Sequence, residues 1–88
     1  MTSFHLTIVT PEAVFFQGEV LSLVAPGQNG RFGILANHAP LISTMTAGTF
    51  MVTAQDATKK SYQIGTGFLD VLKNNVTLLT TSISESRE

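Results

Sequence analysis

Pro26-Gly27-Gln28-Asn29-Gly30-Arg31-Phe32-Gly33-Ile34-Leu35-Ala36-Asn37-His38-Ala39-Pro40-Leu41-Ile42-Ser43-Thr44 is the stretch that decides how this chain folds. Asn29-Gly30 signals a tight turn, because both residues accept a positive φ at little steric cost. Gly33 interrupts the apolar run Phe32 to Leu35 and predicts a bulge, or a point where another backbone comes close. Pro40 cannot donate within a central strand and pushes Ala39 into an extended conformation. A turn, a short apolar run and a proline within nineteen residues describe short strands, not a helix.

The flanking sequence repeats this pattern. Phe4 to Val9 alternates with period two, which sets Phe4, Leu6 and Ile8 on one face and His5, Thr7 and Val9 on the other. Val14-Phe15-Phe16 predicts a short strand ending at Gly18, and Glu19 to Ala25 a longer one stopped by Pro26-Gly27. Arg31 to Leu35, Leu41 to Thr44 and Thr49 to Thr53 follow, the last with Phe50 and Val52 on one side. Tyr62 and Ile64 share a face of the next strand. Phe68 to Leu72 and Val76 to Thr80 predict a hairpin closed by Lys73-Asn74-Asn75. About ten short strands at regular spacing, with no helix-period segment, predict an all-β two-sheet sandwich, or flattened barrel, over residues 1–82. Ser82 to Glu88 reads as a polar tail that frays, so residues 83–88 are placed outside the domain.

Composition restricts function. Eighty-eight residues make one small domain with a stability of about 4–13 kcal/mol. No cysteine is present, so there is neither a disulfide framework nor a thiolate metal site. The start Met1 to Leu6 has no basic region and no long apolar run, which predicts no signal peptide and no direct membrane insertion. Five basic residues and a net charge of −1 provide no footprint for nucleic acid. Charged residues are only 12% of the chain, against about 25% in an average domain, so part of the surface is expected to be covered by something else. Seven apolar doublets (Phe15-Phe16, Val20-Leu21, Leu23-Val24, Leu41-Ile42, Phe68-Leu69, Val71-Leu72 and Leu78-Leu79) point the same way. A solvated face should carry polar residues at every second place. Strand ends tucked under loops account for some doublets, and an apolar outer face with a partner for the rest.

Chemistry has little to stand on. His5 and His38 are far apart in sequence, and the carboxylates Glu12, Glu19, Asp56, Asp70, Glu85 and Glu88 are scattered, so no metal site is predicted. No Gly-x-Ser-x-Gly elbow is present. Gly27, Gly30 and Gly33 lack the Lys-Ser/Thr and the helix that a phosphate loop needs, so turns are the better account of them. Asn75-Val76-Thr77 is a glycosylation sequon with no secretion signal beside it. No cofactor and no catalytic residue is expected.

The run Gly30-Arg31-Phe32-Gly33-Ile34-Leu35-Ala36-Asn37-His38-Ala39-Pro40-Leu41 resembles the Gly-x-x-Gly-Ile-x-x-x-His-Ala-Pro-Leu pattern of the epsilon subunits of F-type ATP synthases. The resemblance extends in register to His5-Leu6 with Val9, Phe16-x-Gly18, Gly65-x-Gly67-x-Leu69-x-Val71 and Asn75-Val76-Thr77-x-Leu79. It covers residues 3 to 81, the N-terminal sandwich of that family.

The resemblance implies a non-catalytic rotor subunit at the foot of the central stalk. Such a subunit joins the gamma subunit to the c-ring on the cytoplasmic face of an energy-transducing membrane, so that ion-driven rotation reaches the catalytic head. It further implies gamma contacts at Thr10, His38, Ala39, Pro40 and Ser43, and c-ring contacts at Gln28, Asn29, Gly30 and Arg31. Two positions depart from the family. Arg31 stands where an acidic residue is common, and Ala36-Asn37 where Pro-Gly is. Family members commonly continue into a helical pair that inhibits hydrolysis; if the chain is complete at Glu88, that latch and its ATP-sensing are expected to be missing. The alternative from another class is a free-standing β-barrel that binds a ligand or nucleic acid. Its expected band of basic and aromatic residues is not there, because Arg31, Lys59, Lys60, Lys73 and Arg87 are dispersed.

Overall fold

Val14 to Gly27 form a single 14-residue strand where the sequence predicts two. In the computed structural model, which describes residues 2–85, the strands are β1 (Phe4–Val9), β2 (Val14–Gly27), β3 (Gly30–Leu35), β4 (Leu41–Met45), β5 (Gly48–Ala54), β6 (Lys59–Ile64), β7 (Gly67–Leu72), β8 (Asn75–Thr80) and β9 (Ile83–Glu85). Nine strands agree with the expected number of about ten, in an all-β fold with no helix among the described residues. One layer runs β4-β7-β8-β1, and the other runs β2-β5-β6-β9 with β3 beside β2. All pairings are antiparallel except β1 with β8.

Gly18 does not end a strand because β2 serves both layers in turn. Its first half pairs with β1 from Val14 to Val20, and its second half pairs with β5 and β3. Two bulges make the crossing. Ile8 lies opposite Phe16 and Val9 opposite Val14, which leaves Phe15 as the extra residue. Val20 lies opposite Ala54 and Ser22 opposite Thr53, which leaves Leu21 extra. The second bulge inverts the alternation: Val20 points into the core, and the next inward residues are Leu23 and Ala25 rather than Ser22 and Val24. Phe15-Phe16 and Val20-Leu21 are doublets for this reason.

The core lies between the layers. Phe4, Leu6 and Ile8 of β1 are almost wholly buried, with Leu69 and Val71 of β7 and Val76 and Leu78 of β8. Phe50 and Val52 of β5 and Tyr62 and Ile64 of β6 face them from the second layer. The period-two assignments made from sequence hold at the three strands where they were made, β1, β5 and β6. Thr80 is the buried polar side chain; its hydroxyl lies 3.1–3.3 Å from the carbonyls of Gly65, Thr66 and Ser82.

Three local expectations are corrected. The β2–β3 register runs unbroken through Val24 opposite Gly33, so Gly33 makes no bulge. At the β2–β3 turn only Gly30 takes a positive φ, at 117°, and Asn29 does not. Ile83 to Glu85 do not fray: they add β9 to the edge of β6, and Ile83 packs against the core, so the sheet passes the boundary expected at residue 82. Ser86 to Glu88 lie outside the described residues. The close approach expected at Gly33 occurs at Gly67, where a Cβ would run into the Leu79 carbonyl across the β7–β8 ladder. The β7–β8 turn is two residues long, with Lys73 at φ 51° and Asn74 at φ 61°, and Asn75 already belongs to β8.

Candidate functional site

Outward-facing residues of the β4-β7-β8-β1 layer form the candidate site. Cross-strand pairing aligns Val9, Leu79, Phe68 and Thr44 in one row across all four strands. Ile42 stands diagonal to Phe68, two residues from Thr44 on β4, at a separation aromatic side chains span. Ile42 is 75% exposed, Phe68 53% and Leu79 46%. These are the outward members of the doublets Leu41-Ile42, Phe68-Leu69 and Leu78-Leu79, whose partners Leu69 and Leu78 are fully buried. The doublets thus give this layer two apolar faces. In the next row along the sheet Thr7, Thr77 and Asp70 are polar, and Ile42 stands opposite Asp70 at its β4 end.

Thr10 adjoins this row. The turn after β1 is closed by Thr10 N–H donating to the Ala13 carbonyl at 2.9 Å, with the Thr10 hydroxyl on the same oxygen at 3.2 Å. Thr10 and Pro11 then form, with Val9, Phe68 and Leu79, a shallow apolar hollow of about 420 Å³.

His38 and Ser43 lie at the opposite end. They share a second hollow, of about 500 Å³, with Gln28, Asn29, Gly30 and Arg31. The expected gamma residues His38 and Ser43 and the expected c-ring residues therefore meet in one place, while Thr10 is in another. Thr44 joins the two, since it lines the second hollow and pairs with Phe68. Ala39 and Pro40 connect His38 to β4 at the rim.

Local geometry holds the His38 segment in place. Asn37 takes φ 65° and Asn74 φ 61°. Their side chains interlock: Asn37 N–H donates to Asn74 Oδ1 at 2.6 Å, and Asn74 Nδ2 donates to Asn37 Oδ1 at 3.0 Å. Asn37 tolerates the left-handed conformation, as glycine would, because its short amide bonds locally. His38 Nδ1 lies 2.7 Å from the Ala39 carbonyl, a contact in which Nδ1 carries the proton and donates. The Ser43 hydroxyl donates to the Thr44 carbonyl at 3.3 Å. Arg31 Nη1 donates to the Thr49 carbonyl at 3.2 Å, which uses one of the five guanidinium donors.

Among the described residues no three His, Cys, Asp or Glu side chains lie close enough to hold a metal, and no helix is long and apolar enough to cross a membrane. Of the ionisable groups, Asp56 has a clearly shifted carboxyl. It is held below the usual carboxylate range by the Thr58 backbone N–H, which donates to Oδ1 at 3.0 Å in the β5–β6 turn. Ile42, Phe68 and Leu79 escaped the sequence-level list of contact residues. The doublets were the signal, but which member faces outward depends on register, and the sequence alone does not set it.

A family model described as the β-sandwich domain of the ATP synthase delta/epsilon chain matches residues 3–86. The ATP synthase epsilon chain of Chlorobaculum tepidum is 42% identical over 82 residues, which are 93% of either chain. That of Nitratiruptor sp. is 40% identical over 79 residues, 90% of this chain and 61% of its own longer one. Among solved structures, a chain of the Euglena gracilis mitochondrial ATP synthase superposes with a TM-score of 0.92 over 97% of this chain. At 22% identity that likeness shows the fold, and this chain spans about half (54%) of the Euglena one. On the match to the family model and on identity above 40% along nearly its whole length, this chain belongs to the ATP synthase delta/epsilon-chain β-sandwich family.

Proposed function

We propose that this chain is a non-catalytic rotor component of an F-type ATP synthase. In this role it links the gamma subunit to the c-ring, peripherally, on the cytoplasmic face of an energy-transducing membrane, and so couples ion-driven rotation to ATP synthesis. The observation that carries the proposal is the apolar row on the outer face of β4-β7-β8-β1. It runs from Thr10 at one end to Thr44 at the other, and Thr44 also lines the hollow that holds His38 and Ser43, although Ser43, opposite the buried Leu69, turns to the other face of β4. Gamma is assigned to that strip. Gln28 to Arg31, at the tip of the β2–β3 hairpin, are assigned to the ring, and Arg31 pairs there with a loop carboxylate. The solved Euglena assembly is described as containing F1 and the c-ring, which supports a place beside those partners.

Immobilised gamma is the direct test: the chain should be retained one to one, whereas a free-standing ligand-binding barrel would pass through. For the ring contact, Arg31→Glu should weaken assembly, and an acid-to-lysine change in the ring loop should restore it. Failure of that paired swap would remove Arg31 from the ring interface without touching the gamma assignment.

A further inference from the structure

Strand β3 has an edge that no other described strand covers. Among the described residues β3 pairs with β2 alone. The Pro26 carbonyl accepts the Thr46 N–H at 2.9 Å on the side of β2 away from β3, so Pro26 and Arg31 form a non-hydrogen-bonded pair. By alternation Arg31, Gly33 and Leu35 turn their N–H and C=O groups away from β2 toward the free edge, and all three residues are exposed. Open edges of this kind are normally blunted by short length, proline, lysine or a bulge. β9 is three residues long, whereas β3 has six residues in regular register with no proline or lysine.

Gly33 supplies a second, independent observation. Nothing inside the chain requires glycine there: its φ is not positive, and a Cβ would meet only the Leu23 carbonyl oxygen at an ordinary 3.6 Å. A glycine within a strand marks a bulge, a bend or the close approach of another backbone. The unbroken register removes the bulge, and the free space removes an internal approach. The remaining source of a close backbone lies outside the chain.

We propose that β3 is a docking edge for an extended segment of a partner polypeptide, which adds as a strand against Arg31, Gly33 and Leu35. The segment carries a carboxylate opposite Arg31, a bulky side chain over the gap at Gly33, and an apolar side chain against Leu35. Charge supports the carboxylate: the adjoining hollow is lined by Arg31 and by no acidic residue. Backbone ladder bonds supply affinity in strand addition, and alternate side chains supply selectivity. The proposal rests on the stalk reading for its partner, the gamma and c-ring assembly, but uses a different surface from the apolar strip.

Amide hydrogen exchange resolved by residue tests it, with the chain alone and assembled with purified gamma and c-ring. Alone, Phe32 and Ile34 amides, which face β2, should exchange slowly, and Arg31, Gly33 and Leu35 amides at least tenfold faster. In the assembly the fast three should slow by a factor of ten or more. If they stay fast while the assembly forms, the docking edge is wrong and the rotor role stands; if no assembly forms, the rotor role is wrong as well. Gly33→Val separates folding from docking. It should keep the chain folded, because the space is open, and abolish the added protection; unchanged protection in this variant would overturn the role of Gly33.

Discussion

Replace Phe68 by serine, and the reasoning about the outer face becomes measurable. Phe68 is 53% exposed, so folding has buried about half of it and a partner is left to cover the rest. A whole aromatic side chain is worth about 1.5–3 kcal/mol on burial, so covering the exposed half contributes about 0.8–1.6 kcal/mol to docking. Phe68→Ser should therefore raise the Kd for gamma by about four- to fifteenfold. Leu79, directly opposite on β8 and 46% exposed, is worth somewhat less by the same measure. The double variant should lose about 2 kcal/mol, or roughly thirtyfold, with some departure from additivity because the two side chains touch the same surface.

The change also removes the buried half of Phe68 from the folded chain. That costs about 1 kcal/mol, or roughly 4–8 °C in Tm for a domain of this size, so binding must be measured well below the transition. Titration calorimetry against gamma gives Kd and the heat capacity together, and the binding ΔCp should become less negative as apolar area leaves the interface. Gln63→Ala, on an exposed position of β6 in the other layer, is the control and should leave Kd unchanged. A folded Phe68/Leu79 double variant that binds gamma within twofold of the parent would refute the assignment of this face.

Other expectations concern what holds the frame. Gly67→Ala drives a Cβ into the Leu79 carbonyl, so it should open the β7–β8 ladder and cost about 3 kcal/mol or more, read by denaturant unfolding. Leu69→Ala, at a fully buried position, should cost about 2–5 kcal/mol with no separate effect on Kd once the protein is folded. Thr80→Val removes a hydroxyl that serves three carbonyls in turn and should cost about 1–2 kcal/mol. The lowered Asp56 carboxyl contributes stability that is fully present above the ordinary aspartate value of about 3.9 and is lost as pH falls through its lower folded value. In Asp56→Asn the acid limb of a stability-versus-pH curve below about pH 4 should be shallower.

Much of this fold was readable from local rules, and the failures share one cause. Alternation placed Phe4, Leu6, Ile8, Phe50, Val52, Tyr62 and Ile64 correctly, because those strands keep one face toward the core from end to end. β2 was divided at Gly18 because a glycine between two apolar runs reads locally as a strand end, whereas the change of phase comes three residues later, at the Leu21 bulge that forms only when β5 is paired beside it. Ile83 to Glu85 looked like a tail because three polar-flanked residues carry no local strand signal; the free edge of β6 recruits them. The site followed the same division. Resemblance offered Thr10, His38 and Ser43 as candidates, while the outward-facing row Leu79, Phe68 and Thr44 is a product of register across strands distant in sequence.

Register also bears on how such a domain transmits load. A sandwich held only by side-chain packing would shear between its layers, because dispersion contacts are weak one by one and slide. Here the covalent chain itself crosses between the layers five times among the described residues, and two of the crossings lie next to the β2–β3 hairpin. β2 passes from β1 to β5 through the Phe15 and Leu21 bulges, and Thr46-Ala47 carries the chain from β4 in one layer to β5 in the other. The second crossing is tied down where Met45 pairs with Gly27 and the Thr46 N–H bonds to Pro26. A force applied to the outer face of β4-β7-β8-β1 thus reaches the β2–β3 hairpin through backbone and ladder bonds rather than across the core. The bulges that made β2 hard to read from sequence are what let one strand belong to both layers, and a stiff link between two partners needs that continuity more than it needs any reactive group.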